Sequence, residues 1–170
     1  MYRINGIEFE TKEAVDAFLL TATEVDASYC TSLTKLSAPM ATYVYAYGCT
    51  SLTELSAPKA TEVYADGCTS LTNCNGYSQL SAEDCASNLK KVAELALASE
   101  GALEMDAIHA CETTHCIAGW AVTNYPNGAE MEKKCGWWLA GKFLLGDEAA
   151  GHFHDNQSDG LKYLKSINKE

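Results

Sequence analysis

Residues 41–71 read A-T-Y-V-Y-A-Y-G-C-T-S-L-T-E-L-S-A-P-K-A-T-E-V-Y-A-D-G-C-T-S-L. The pentad Cys49-Thr50-Ser51-Leu52-Thr53 returns 19 residues later at Cys68, and it also stands 19 residues earlier at Cys30. The connecting segments agree almost residue for residue, L-S-A-P-M-A-T-Y-V-Y-A-Y-G against L-S-A-P-K-A-T-E-V-Y-A-D-G. A partial copy, A-T-E-V-D-A-S-Y, precedes Cys30. A fixed period of this kind marks an array of supersecondary units, none of which can bury its apolar side alone.

Within one unit the pattern A-x-x-V-x-A-x-x-C-x-x-L runs from Ala60 to Leu71. Alternation around Val63 and Ala65 predicts a short strand with one buried face. Gly67 permits the bend that follows, and Cys68 suits a small interior position. The stretch Leu52–Pro58 closes the unit; Pro58 cannot donate to a ladder, which suits a turn. The 19-residue spacing of Cys30, Cys49 and Cys68 follows the repeat period rather than metal-ligand spacing, so this column reads as structural.

These residues resemble the leucine-rich repeat, L-x-x-L-x-L-x-x-N/C-x-L, with Cys30, Cys49 and Cys68 at the ladder position, and the L-x-x-L-S-A-P half is similar to the short repeats of bacterial leucine-rich effectors. The resemblance spans about residues 22–77. It departs from the consensus by one extra residue between Cys and Leu and by Ala at several Leu positions. It implies an α+β chain: a short leucine-rich-repeat solenoid with an N-terminal hairpin and helix as its cap, then an all-helical C-terminal domain.

The ends of the array fit that layout. Tyr2–Phe9 reads as a hairpin turning at Asn5-Gly6, and Thr11 as the N-cap of a helix carrying Val15, Phe18 and Leu19 on one face. The repeat breaks down in Leu71–Tyr77. The expected organisation is therefore a cap over 1–21, repeats over 22–78 and a helical domain over 79–170. In the last, Ser81 and Asp84 begin a helix whose apolar face is Cys85, Leu89, Val92, Ala93 and Ala96. Thr113 or Thr114 is expected to cap a second helix reaching about Asn124, where Pro126-Asn127-Gly128 stops it. Further helices are expected over about 129–145 and 159–167.

The outward positions of the repeat strands carry Glu24, Asp26 and Ser28, then Tyr43, Tyr45 and Tyr47, then Glu62, Tyr64 and Asp66. Tyrosine offers much contact area for little rotamer entropy, so Glu24, Asp26, Tyr43, Tyr45, Tyr47, Glu62, Tyr64 and Asp66 form the candidate partner-binding face.

The second half contains one Cys/His cluster, His109-Ala110-Cys111-Glu112-Thr113-Thr114-His115-Cys116. Zinc sites usually pair two spaced ligands with a distant second pair, here Cys135, His152 or His154. His109, Cys111, His115 and Cys116 are thus secondary candidates, and neither metal nor cofactor is expected. A Cys116 thiolate at a helix start would suit nucleophilic chemistry, but no acid partner or oxyanion donor accompanies it. The favoured reading makes these cysteines small interior residues. No P-loop, dinucleotide fingerprint, H-E-x-x-H or G-x-S-x-G is present. The segment from about Asn88 to Leu164, with Cys111–Trp120 reading C-x-T-T-H-C-x-A-G-W and a later Gly151–Asn156 stretch, resembles an uncharacterised domain of phage and bacterial proteins. In phages that domain is often joined to short leucine-rich repeats. The resemblance implies a phage-encoded accessory protein and carries no activity with it.

The 170 residues hold 12 basic and 23 acidic side chains, a formal net charge of -11. That balance argues against direct nucleic-acid binding. No apolar run approaches a membrane span, and Met1–Gly6 lacks the apolar stretch of a secretory signal, so a cytoplasmic location in a bacterial host cell and reduced cysteines are expected. The reading that results is a non-enzymatic protein-binding module that inhibits a cytosolic bacterial protein, for example a defence or nucleic-acid-handling protein. An enzyme or zinc domain centred on Cys111, His115 and Cys116, or a pocket for a small ligand such as a nucleotide signal, are the alternatives. Oligomeric state stays open, because an uncovered ladder edge can pair with another copy.

Overall fold

The computed structural model describes residues 1–111 and 114–168; the side chains of residues 110 and 111 lie outside that description. The chain divides into two units, Met1–Ser78 with Lys133–Leu139, and Gln79–Glu132 with Ala140–Glu170.

The first unit opens with strands β1 (Tyr2–Ile4) and β2 (Ile7–Phe9), paired antiparallel about Asn5-Gly6. Both turn residues have positive φ, 50° and 76°, the left-handed geometry that Asn and Gly tolerate best. Helix α1 (Lys12–Leu19) follows, its N-terminus capped by Thr11, whose side chain accepts from the Ala14 amide; Val15 and Leu19 are buried.

The repeat then supplies β3 (Glu24–Asp26), β4 (Lys35–Ser37), β5 (Tyr43–Tyr45), β6 (Glu54–Ser56) and β7 (Glu62–Tyr64), and ends in β8 (Asn73–Cys74) and β9 (Tyr77–Ser78). These strands sort into two sheets, β3-β5-β7, all parallel, and β4-β6-β8-β9, parallel until the final antiparallel hairpin. The centre of each rung points inward: Val25, Val44 and Val63 in the first sheet, Leu36, Leu55 and Cys74 in the second, all buried. Each three-residue strand is entered through a threonine. Thr42 and Thr61 donate their hydroxyls to the carbonyls of Thr23 and Thr42, and Thr53 and Thr72 to those of Thr34 and Thr53. The cysteine column is interior: the Cys49 thiol donates to Ala27 O and the Cys68 thiol to Ala46 O, each at 2.9 Å. Contact with Cys49 and burial push the Cys68 thiol above the ordinary thiol range.

Two asparagine side chains bond to the strand backbones of this unit. Asn5 donates its side-chain amide to Glu24 O (2.9 Å) and accepts from the Asp26 amide (2.5 Å), so it occupies the outer edge of β3. Asn75, at φ 50° in a second Asn-Gly turn, accepts from the Ala57 amide (2.6 Å) and donates to Lys134 O (2.7 Å). The segment Lys133–Leu139 seals the same end. The Cys135 thiol donates to Cys74 O at 3.2 Å, and Gly136, at φ 83°, lies so close to Val63 O that a Cβ would stand 2.2 Å from it.

The second unit is built on α2 (Ala82–Ala96), capped by Ser81, with Cys85, Leu89, Val92, Ala93 and Ala96 buried. A short antiparallel pair, β10 (His109–Cys111) and β11 (Thr114–His115), leads into α3 (Ile117–Asn124), which packs on α2. Then come α4 (Gly128–Cys135) and α5 (Trp137–Ala150), interrupted at Gly146, of which residues 133–139 belong to the first unit, and α6 (Gln157–Ile167), which also contacts α2. Lys142 is buried, held by Asp147 at 2.9 Å and by the Gln79 side-chain oxygen at 3.0 Å.

The expected leucine-rich-repeat solenoid followed by an all-helical domain is not what the chain forms. It is α+β, with six helices among the described residues and small sheets in both units. Each 19-residue unit spends its length on two three-residue strands in two separate ladders, with Ala27, Ala38, Ala46, Ala57 and Ala65 buried around them. The second half holds the β10–β11 sheet and so is not all-helical. Thr114 belongs to β11 and does not cap α3; Cys116 does, its sulfur accepting from the Gly119 amide at 3.4 Å. Thr113 lies outside the described residues. The helix expected over 129–145 is two helices, separated where Gly136 adopts positive φ.

Candidate functional site

Parallel pairing fixes three rows on the outward side of β3-β5-β7. Glu24, Tyr43 and Glu62 share one row and Asp26, Tyr45 and Tyr64 the next. Hydrogen bonds from the Tyr29 amide to Tyr47 O (2.6 Å) and the Gly48 amide to Asp66 O (2.9 Å) carry the register onward past the strands, so Ser28, Tyr47 and Asp66 form a third row. All eight candidate face residues therefore belong to one surface. Tyr43 and Tyr45 on the middle strand, with Tyr47 in the turn that follows it, make a stripe with Glu24 and Asp26 on one side and Glu62 and Asp66 on the other.

The rings are organised rather than splayed. Tyr45 and Tyr64 stack with centroids 5.2 Å apart and planes 3° from parallel; Tyr47 approaches Tyr64 at 5.9 Å and 26°. The Tyr64 hydroxyl donates to the Glu62 carboxylate at 2.5 Å. That bond, above all, pushes the Tyr64 phenol up to about 12. Burial, and then the nearby Asp66 carboxylate, raise Tyr47. The Asp26 carboxylate is itself steered, one oxygen accepting from the Ser28 amide at 3.0 Å.

Sequence reading missed a fifth tyrosine. Tyr29 is 77% exposed, and its ring lies over Gly48, where an added Cβ would come within 2.7 Å of it. The signal was present: Tyr29 aligns with Gly48 and Gly67 at the 19-residue period, so a large ring in one unit meets a missing side chain in the next.

The Cys/His cluster comes together only in part. His109 Nδ1 and His115 Nδ1 lie 3.1 Å apart, and His109 Nε2 is 3.2 Å from both carboxylate oxygens of Glu132. His115 is buried and packs edge-on against Trp120 (4.8 Å, 87°). Two ring nitrogens at this distance share one proton, and the Glu132 carboxylate orients the outer ring. The Cys116 thiol points into the start of α3, and burial pushes it above the ordinary thiol range, the reverse of an activated nucleophile. The Cys111 side chain lies outside the described residues. Among the described residues no three His, Cys, Asp or Glu side chains are arranged to hold a metal ion. Gly119 serves packing: a Cβ there would stand 2.0 Å from Ile108 O.

The second unit also has an open groove of about 530 Å³, lined by Leu97, Glu100, Leu103, Gln157, Leu161 and Lys165 among others. Its central amide, Gln157, already donates to Leu103 O (2.6 Å) and accepts from the Met105 amide (3.0 Å), so it works as a clamp on that loop. Lys165 is the one cation among the residues of the lining.

Comparison with known protein families, curated proteins and solved structures found no match for this chain. The two family resemblances rest on the quoted residues alone. Among the described residues no helix is long and apolar enough to cross a membrane.

Proposed function

We propose that this chain is a non-enzymatic protein-binding module, phage-encoded and acting in the bacterial cytoplasm, which engages a protein partner through the tyrosine–carboxylate face of β3-β5-β7 and inhibits it by covering its surface. One observation supports the reading above the rest: Tyr45, Tyr64 and Tyr47 are already stacked. Pre-ordered aromatic side chains lose little freedom on association, which is the usual drain on interface affinity. Nine outward positions that hold four tyrosines and four carboxylates are also costly to explain by solubility alone, for which charge without rings suffices.

The test uses the immobilised full-length chain, bacterial lysate and mass-spectrometric identification, followed by calorimetry with the purified partner. The double variant Tyr45→Ala/Tyr64→Ala is compared with Lys35→Ala/Glu54→Ala, which alters the other sheet. A protein retained by the wild type and by the second variant but lost by the first is the expected result. Retention indifferent to the tyrosines, or no retained protein, sinks the proposal.

A further inference from the structure

The arrangement of the face narrows the chemistry of what it takes. Every charged side chain on the nine outward positions is acidic: Glu24, Asp26, Glu62 and Asp66. On the other sheet, by contrast, Glu54 is answered by Lys35 at 2.8 Å. Glu24 and Asp26 stand beside these rings and meet no cation among the described residues of the sheet, which leaves their charge complement to a partner.

Geometry separates arginine from lysine. Tyr64 covers one face of the Tyr45 ring; the other is turned toward β3, where the in-register residue is Asp26. Aspartate is too short to cover a phenol ring, and its carboxylate is held from beneath by the Ser28 amide, leaving the second oxygen without a partner among the described residues. A planar cation can lie on that ring face while donating to that oxygen. Guanidinium does both at once; an ammonium, compact and strongly hydrated, does neither as well. Spacing extends the match. Tyr43 and Tyr45 stand two residues apart on β5, about 6.6–6.8 Å, side chains on one face of an extended peptide recur at the same interval, and Tyr47 follows in the turn just beyond the strand. Carboxylates stand one strand away on both sides, about 4.8 Å off.

From this, and resting on the binding face proposed above, we infer that the partner segment is an extended, arginine-bearing peptide whose alternate side chains lie along the Tyr43–Tyr45–Tyr47 stripe, with one guanidinium seated between Tyr45 and Asp26.

Fluorescence anisotropy with the intact protein tests it, using labelled octapeptides of alternating Arg-Ser, Lys-Ser and Glu-Ser. The Arg-Ser peptide binds at low salt, at least about threefold more tightly than Lys-Ser, and Glu-Ser does not bind. Asp26→Asn and Tyr45→Ala each weaken Arg-Ser binding by about three- to tenfold. The charge-matched Glu8→Gln, on the exposed hairpin, changes it by less than twofold. Thermal melting confirms that each variant folds. Equal affinity for Arg-Ser and Lys-Ser, or an equal loss with Glu8→Gln, reduces the effect to bulk charge and overturns the inference. If the captured partner depends on Tyr45 and Tyr64 while the Arg-Ser peptide fails to displace it, the cationic chemistry falls and the face stands. If capture ignores the tyrosines, both fall.

Discussion

The two sheets of the first unit are cut from the same 19-residue text and meet the same backbone demands, yet they show solvent different chemistry. Both are entered through threonines that bond to the preceding threonine carbonyl, and both bury one aliphatic or thiol side chain per rung. Outward, β4 and β6 repeat Ser37 and Ser56 and pair Lys35 with Glu54. Outward on β3-β5-β7 the residues vary from rung to rung, and all of them are tyrosine, acid or serine. Positions fixed by stacking cannot report a binding role, because any folded copy must keep them. Free positions can, and only one of the two sheets has filled them with stacked rings.

The largest effect that sharpens this division is in the interior. Leu55→Ala, at the fully buried centre of β6, should cost about 2–5 kcal/mol in urea unfolding. Asn75→Ala removes the acceptor for the Ala57 amide and the donor to Lys134 O, and should cost about 1–3 kcal/mol. Tyr45→Ala should cost less, about 0.5–1.5 kcal/mol for the lost ring pair, while weakening the proposed partner binding. If Tyr45→Ala destabilised the protein as much as Leu55→Ala, the tyrosines would be part of the core and the contrast between sheets would collapse.

A subtler check is pH. Tyr64 has its phenol raised to about 12 in the folded protein, so its bond to Glu62 stabilises fully below the ordinary phenol value and is lost as pH climbs through 10 to 12. Absorbance titration of the phenolates should show Tyr64 among the late tyrosines, with Tyr47 and Tyr163, and Glu62→Gln should bring Tyr64 back toward the early ones. Smallest of all is Glu54→Gln, which breaks an exposed ion pair and should leave the unfolding midpoint unmoved at 0.15 M salt.

Much of this was legible before any coordinates. The period placed the strands, the inward valines and the outward tyrosines, since a two-residue alternation leaves no freedom once one face is buried. What the pattern did not carry was how many ladders one unit feeds. The pattern of Leu52–Pro58 suggests only a closing segment, yet Leu55-Ser56, like Leu36-Ser37 one period earlier, lies in a strand; a three-residue strand is too short for periodicity to declare itself. Nor did sequence mark Lys133–Leu139 as part of the first unit, because the contact is made by backbone carbonyls, Gly136 and a thiol. At the candidate face the eight residues were visible and Tyr29 was not. The cap at Cys116 was hidden for a different reason: threonine is the better capping residue by propensity, and the β10–β11 pairing claimed Thr114 first.

Asn5 and Asn75 act as punctuation. Each is the first residue of an Asn-Gly turn, and each presents a side-chain amide where another strand would have presented its backbone. The first rung of one sheet and the β8 rung of the other are therefore each marked by a signal separate from the text they enclose. Inserting one more 19-residue copy between them adds three outward positions and leaves both signals intact. Such a chain can change the length of its tyrosine–carboxylate face in whole steps, by duplication or deletion, without redesigning either end.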